Sequence, residues 1–482
     1  MENTVHWLES IPLQSASPTQ EIVLGSDHGS ILLHTPLHNR LIALKNEIDH
    51  VAPVGTWDDA KKITNPYEYI FLSLQRRMPW SIAALQPLSR SYFKMIEMWD
   101  LLDLSANSTA HSAEGPGGFL EAIQDRIAEK GAAPIPMIAM TLKSSERTVP
   151  GWRKSQAFLH AYPEVLVTYG QDGTGNLYNL ANQASFTASA AAHTGQVDVY
   201  TADGGFDFSA DFNGQETTVQ RLLIAEALAG LTTLKAGGTM ILKLFDMKNK
   251  ATLDFIWALS SCFDRTALVK PYTSRPANSE RYWVGKGFRS AQPWILDLFR
   301  TLTATDAPSG WDHLFTRLEY SPTWITGVQI FQEKVELHQF NKIQLTLNLI
   351  KAPTRDLVLT MLTQNIRNSR AWCLAHDIPF NRRYATLTDE QVASQNLEEA
   401  LVPFQALVAR TSSQGLCRPS PTHHVLNVNP VPRTPAGLAW RTALPASVLG
   451  RAPSQTVGGI LLSGPSASPQ SPPLKDPVPG MP

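Results

Sequence analysis

Cysteine is scarce in this chain: Cys262, Cys373 and Cys417 are the only 3 among 482 residues. They form no CxxC pair and no Cys/His spacing suited to zinc, which argues against a disulfide framework or a structural zinc site and for a reducing compartment. Long apolar runs are missing too. No stretch reaches the ~18 residues of a membrane span. The start "MENTVHWLESIPLQS" has no basic segment before an apolar core, so no secretory signal is expected. Net charge is almost absent, at -1 with a pI of about 6.9. Bulk charge therefore announces no nucleic-acid partner, and any basic surface must be local. Phosphate-loop signatures are lacking as well: neither GxGxxG nor GxxxxGK[ST] occurs.

What is present fits a soluble globular protein, 43% hydrophobic and 17% charged. Residues 1–59, broken by Pro and Gly, read as an irregular extension with short elements. Residues 60–290 alternate strand and helix. "PMIAMTL", "VLVTYG", "VDVYTAD", "TMILKLF", "TALVKPY" and "RYWVGKGF" are short runs of β-forming residues. "SRSYFKMIEMWDLLDL", "ETTVQRLLIAEALAGLTTL" and "KATLDFIWALSSCF" repeat apolar residues at helical spacing, the second closing on "KAGG" as a stop. The alternation predicts an α/β fold, a mainly parallel sheet with helices on both faces. Residues 291–412 read as a mostly helical extension. Residues 413–482, dense in Pro and Ser, bury too little apolar surface to offset chain entropy and are expected to be disordered.

"SAEGPGGFLEAI", Ser112 to Ile123, is the first stretch able to carry chemistry. Its glycines let a backbone approach a ligand, and the helix after it points N-terminal amides into the crevice where open α/β sheets bind ligands. A tight corner between strand and helix explains the same residues. Three further stretches weigh on that choice. "YTADGGFDFS" puts Asp203 just past a strand, "MILKLFDM" puts Lys243 at the end of the next, and "KPYTSRPANSERYWVGKGF" puts Glu280 just before another. The carboxyl ends of neighbouring parallel strands line one rim, so Asp203 and Lys243 should meet there. Lys94, in "SYFKMIEM", is the polar exception in its helix.

"YFKMIEM", "EGPGGF", "ADGG", "LKLF" and "SRPANSERY", in that order, resemble the motifs of the FtsJ/RrmJ-type S-adenosylmethionine-dependent RNA 2′-O-ribose methyltransferases. The resemblance spans roughly Asn65 to Arg289. "NPYEYIF", "TADGGFDFSADFNGQE" and "SRPANSERY" are most similar to the cap-methyltransferase branch, especially in large DNA viruses. It implies a Rossmann-like methyltransferase sheet and a catalytic tetrad at Lys94, Asp203, Lys243 and Glu280. It also implies a donor pocket at Glu114, Gly115, Pro116, Gly117, Gly118 and Phe119, with Asp172, Asn176 and Asp203 further along. Glu114 stands between two roles, ligand to the donor's ammonium or structural residue. No obvious ribose-binding acid follows the second strand in "TLKSSE". S-adenosylmethionine is the implied methyl donor, with no metal. RNA is the implied partner, capped mRNA in particular, inside the cell, in cytoplasm or nucleus. The helical region is a candidate surface for a protein partner, and no membrane is involved. Lys243 is the candidate proton acceptor. Lys94 opposes its charged form while Asp203 and Glu280 favour it, so the sequence leaves the sign of its pKa shift open.

Other residues are open in both directions. Asp207 and Asp211 have metal-ligand spacing at i, i+4 but better suit a solvated loop. Arg76, Arg77, Arg90, Arg275, Arg281, Lys286 and Arg289, interleaved with Tyr92, Tyr272 and Trp283, suit phosphates and stacked bases. His111 and His193 show no partner.

Overall fold

A computed structural model describes residues 5–13, 18, 20–24, 33, 35–51, 56–72, 81–146, 149–206 and 214–404. In chain order the strands are β1 (Val5–Trp7), β2 (Gln20–Leu24), β3 (Thr109–Ser112), β4 (Met137–Met140) and β5 (Val165–Thr168). Then come β6 (Val197–Ala202), β7 (Leu234–Leu244), β8 (Phe263–Val269), β9 (Arg281–Phe288) and β10 (Trp311–Phe315). The first helices are α1 (His38–Val51), α2 (Thr56–Thr64), α3 (Ser91–Leu101), α4 (Gly118–Glu129), α5 (Gln156–Ala161) and α6 (Leu180–His193). The others are α7 (Gln215–Thr233), α8 (Lys250–Ser260), α9 (Pro293–Ala304), α10 (Pro322–Lys351), α11 (Arg355–Ala375) and α12 (Asp389–Leu401).

One sheet of eight strands runs β1-β8-β9-β7-β6-β3-β4-β5. The five strands from β5 to β7 are mutually parallel. β9 is antiparallel to both β7 and β8, and β1 is antiparallel to β8. The expected Rossmann-like sheet with flanking helices is therefore present. Its inner strands β3, β4 and β6 are buried on both faces, so they read as continuous apolar runs rather than alternating ones. In β7, Met240, Leu242 and Leu244 enter one core cluster with α7 and α8. Ile241 enters the other, with α3 and α4. That is the two-residue period of a strand dividing its side chains between two layers.

Three features differ from the sequence reading. "KAGG" is not only a stop: α7 ends at Thr233 and β7 begins at Leu234, running straight through it. The pairing register jumps from Val197↔Leu234 to Val199↔Thr239, so the segment bulges, with Gly237 at φ +79° taking the left-handed turn. The extension before residue 60 holds a full helix, α1, whose Leu41 and Leu44 pack on Ile343 and Leu347 of α10. Finally, the helices after residue 290 share the core of the α/β layers. Trp324, Val328 and Phe331 of α10 join one cluster, and its last turn, with Leu349 and Ile350, joins the other. At 30 residues, ~45 Å of helix, α10 is long enough to reach both. Asp207, Asp211, Arg76, Arg77 and the 413–482 tail lie outside the described residues. No helix among the described residues is long and apolar enough to cross a membrane.

Candidate active site

β6 and β7 are parallel neighbours, so their carboxyl ends coincide. Asp203 follows the last residue of β6, and Lys243 is the penultimate residue of β7. Glu280 reaches the same rim for a different reason. β9 runs antiparallel to β7, with Lys243 opposite Tyr282 and Leu244 opposite Arg281. The start of β9 thus lies beside the end of β7. α3 brings Lys94 to the same place.

These four side chains meet. Lys94 Nζ lies 2.8 Å from Glu280 Oε1, and Lys243 Nζ lies 3.4 Å from Asp203 Oδ1. Lys243 Nζ also donates to the Asp203 carbonyl at 2.7 Å. Tyr282 links the two pairs: its hydroxyl donates to Asp203 Oδ1 at 2.9 Å and accepts from Lys94 Nζ at 3.4 Å. All four side chains are 11–14% exposed, open to a substrate but largely dry.

Dryness sets the electrostatics. Burial works against the Lys243 ammonium, but Asp203, Glu280 and Glu226 outweigh it and hold its pKa above the ordinary lysine value. Burial also works against the Glu280 carboxylate, and Lys94, Lys243 and Lys270 overcome it, leaving the group well below the usual range. The sign that the sequence left open is upward, because three carboxyls converge on one amine.

Around the "EGPGGF" loop, the glycines are accounted for by the chain's own packing. A Cβ on Gly115 would sit 2.9 Å from the backbone of Gly151. Gly117 has φ +101° and packs under Trp152. A Cβ on Gly118 would lie 2.3 Å from the hydroxyls of Ser89 and Ser91. The Pro116 carbonyl accepts from Ser155, and Phe119 is wholly buried against Tyr282, with ring centroids 6.1 Å apart. Gly151, Trp152 and Ser155 thus pack onto the loop, a cover that the polar string "KSSERTVPGWRKS" did not announce. Glu114 is buried and accepts from the Thr201 hydroxyl at 2.5 Å. Burial, then the nearby Asp203 carboxylate, push its pKa well above the usual range. A desolvated carboxyl held by a hydroxyl fits an ammonium group.

Asp172 and Asn176 sit after β5, in a loop bonded to itself. Asp172 accepts from the Thr174 amide and hydroxyl at 2.8 and 2.7 Å and from Asn179 at 2.8 Å. The Thr174 hydroxyl leads in holding its pKa low. Asn176 Oδ1 accepts from the Tyr178 amide at 2.9 Å.

Two expectations need correcting. His111 does have partners: buried in β3, it lies between Thr109 Oγ1 and Thr201 Oγ1, both at 2.7 Å. Burial drives its pKa down to about 3, so it serves Glu114's hydrogen-bond chain as a neutral ring. His193 Nε2 meets the Glu164 carbonyl at 2.8 Å. Among the described residues, the basic-aromatic set does not form one exposed surface. Arg281, Tyr92 and Trp283 are buried. Arg281 binds Asp246 and Gln332, Arg90 binds the carbonyls of Glu68, Phe71 and Tyr67, and Arg275 binds Glu68. Lys286 and Arg289 donate to backbone carbonyls. Arg90, Arg275 and Arg281 are paired with the buried carboxylates of Glu68 and Asp246.

Sequence reasoning missed Lys270. It follows β8, and its Nζ donates toward Ser274 Oγ, the Arg275 and Asn278 carbonyls, Asn278 Oδ1 and the Glu280 carbonyl. It gathers the whole "SRPANSE" loop about one amine. Burial lowers its pKa to about 7 against the pull of Glu280. A lysine just past an apolar strand was the available signal. Glu226, in the middle of α7, was hidden among its apolar neighbours.

With this geometry in view, the comparison with known proteins is direct: residues 87–288 match the FtsJ-like methyltransferase family. The chain carries an FtsJ-like methyltransferase domain. That domain spans every residue of the rim just described. Over 178 residues the chain is 34% identical to the cap-specific mRNA (nucleoside-2′-O-)-methyltransferase 1 of Drosophila melanogaster, covering 36% of this chain and 21% of that protein. The Homo sapiens protein of the same name is 35% identical over 183 residues, with the same two shares. That of Danio rerio is 34% identical over 196 residues, covering 39% and 22%. The match therefore spans about a fifth of the length of these relatives.

Proposed function

We propose that the methyltransferase domain moves a methyl group from S-adenosylmethionine to a ribose 2′-hydroxyl of RNA, at the cap-proximal nucleotide of mRNA. The observation that carries this reading is the Lys94–Glu280 and Asp203–Lys243 pairing about Tyr282. The cap as substrate is supported by the names of the relatives.

The donor supplies a methyl on a sulfonium sulfur, and the C–S bond breaks toward sulfur as the ribose oxygen bonds the carbon. Lys243 accepts the hydroxyl proton at Nζ, for which it must first be neutral. It gives up its own proton more readily when a second positive charge lies beside it. Asp203 and Glu280 orient the two lysines, and Lys94, fixed by Glu280, orients the ribose. Glu114 is the residue to hold the donor's ammonium, above the turn of Gly115 to Phe119. Placement is the larger contribution: alignment of reactants supplies ~7–11 kcal/mol, against the ~10²–10⁴ rate factor of a general base.

Lys243→Ala should abolish transfer of labelled methyl to capped RNA while binding of S-adenosylhomocysteine survives. Full activity in that variant would overturn the mechanism. Label recovered on a base rather than a ribose would overturn the reaction class, and equal transfer to uncapped RNA would remove the cap from the reading.

A further inference from the structure

We propose that Glu226 is a positioning residue of the methyl-transfer site, whose buried carboxyl behind the Asp203–Gly205 turn sets the basicity of Lys243. The inference rests on the proposed role of Lys243 as proton acceptor.

The geometry lies in the two glycines after Asp203. A Cβ on Gly204 would fall 2.1 Å from Glu226 Oε1, and a Cβ on Gly205 would fall 3.4 Å from Lys243 Nζ. The turn is therefore lined by a carboxyl against one glycine and an amine against the next. Glu226 projects there from the middle of α7, wholly buried. Neither of its oxygens has a well-formed hydrogen bond among the described residues. The Gly204 amide is the donor that favours its ionised form. A buried carboxyl with so little support has no evident packing purpose, since Leu or Met would fill the same volume on α7 without desolvating a polar group.

Its effect is electrostatic. The groups facing Lys243 come from every element of the rim: Asp203 after β6, Glu280 before β9 and Glu226 from α7. Glu114 after β3 and Tyr282 in β9 complete the surroundings. Asp203 and Glu280 are bonded to partners of their own. Glu226 changes charge near neutrality, because burial raises its pKa to about 8, against the pull of Lys243. Uncharged below that value, it leaves Lys243 with two carboxylates; ionised above it, it adds a third and makes the amine harder to deprotonate.

The test reads Lys243 directly and needs no turnover. Competitive acetylation of the full chain across pH, with the Lys243 peptide quantified by mass spectrometry, gives the midpoint of the amine. Glu226→Gln keeps the volume and an oxygen toward Gly204 but removes the charge. The Lys243 midpoint should fall by about one pH unit, as expected for losing one carboxylate at several ångströms and an effective dielectric of ~20. Gly204→Ala, whose methyl must displace the same carboxyl, should move it in the same direction and serves if Glu226→Gln does not fold. In methyl transfer, the rise of kcat with pH should move to lower pH in Glu226→Gln while KM stays within about twofold, a uniform loss of activity being the mark of a structural role. An unchanged Lys243 midpoint overturns the inference. Absence of methyl transfer by the wild type overturns the proposed function instead, and the labelling result still decides the role of Glu226.

Discussion

Gly118 shows how tightly single residues are determined. Its missing Cβ leaves room for the hydroxyls of Ser89 and Ser91 and for the Tyr92 amide, all within 2.9 Å of where that atom would stand. Gly118→Ala should cost about 1–3 kcal/mol of stability, the range for overpacking a filled site, measured by denaturant unfolding. Glu226 supplies a pH-dependent case. Its folded pKa of about 8 lies above the ~4.3 of a free glutamate. Between those values the folded chain holds a proton that the unfolded chain has released, so stability falls as pH rises through the window. Glu226→Gln should therefore be more stable than wild type at pH 8–9, by on the order of 5 kcal/mol, and no more stable at pH 4. Melting curves at the two pH values check this. The meeting of Lys94, Asp203, Lys243 and Glu280 on one rim was legible because their motifs are ordered along the chain. Glu226 and Lys270 were not, because one charged residue in an apolar helix or after a strand also fits a solvated position.

At the scale of elements, the loop between β8 and β9 positions Glu280, and it is held from two sides. Lys270 draws its carbonyls inward, and Glu97 of α3 accepts from the Tyr272 amide at 2.6 Å and from Thr273. Lys270→Met should lower kcat about 10²-fold, the order expected for ~1 Å of misplacement, while S-adenosylhomocysteine binding measured by calorimetry is unchanged. Equal loss of both would mean that the loop supports the whole pocket. The strands and helices of this region were readable as apolar runs and helical periods. The antiparallel direction of β9 was not, since a strand's run of side chains carries no sign of which way it pairs. That direction is what brings Glu280 to Lys94.

Over the described residues, the helices after residue 290 are built into both core clusters of the α/β layers. α10 gives Glu336 to Lys248 at 2.8 Å and Gln332 to Arg281, next to Glu280. Trp372 of α11 is buried against Phe93 of α3, the residue before Lys94, and its indole donates to Glu97 at 3.3 Å. A chain ending at residue 290 should fail to give a cooperative melting transition, because its sheet helices would lose partners such as Trp324, Phe331, Leu362 and Trp372. A sharp transition in that fragment would show that the α/β layers fold alone.

The sequence by itself determined the α/β alternation, the glycine corner and the order of Lys94, Asp203, Lys243 and Glu280. Those depend on local periodicity and on residue types at short range. Only the tertiary structure decided which charges remain available for chemistry. Arg90, Arg275 and Arg281 read as one more basic surface until their buried partners were seen. Lys243 carried no sign of its shift until three carboxyls from β6, α7 and the β9 loop were found around it. The physical reason is shared: a charge's role depends on its desolvation and on neighbours remote in the chain, and a linear string holds neither.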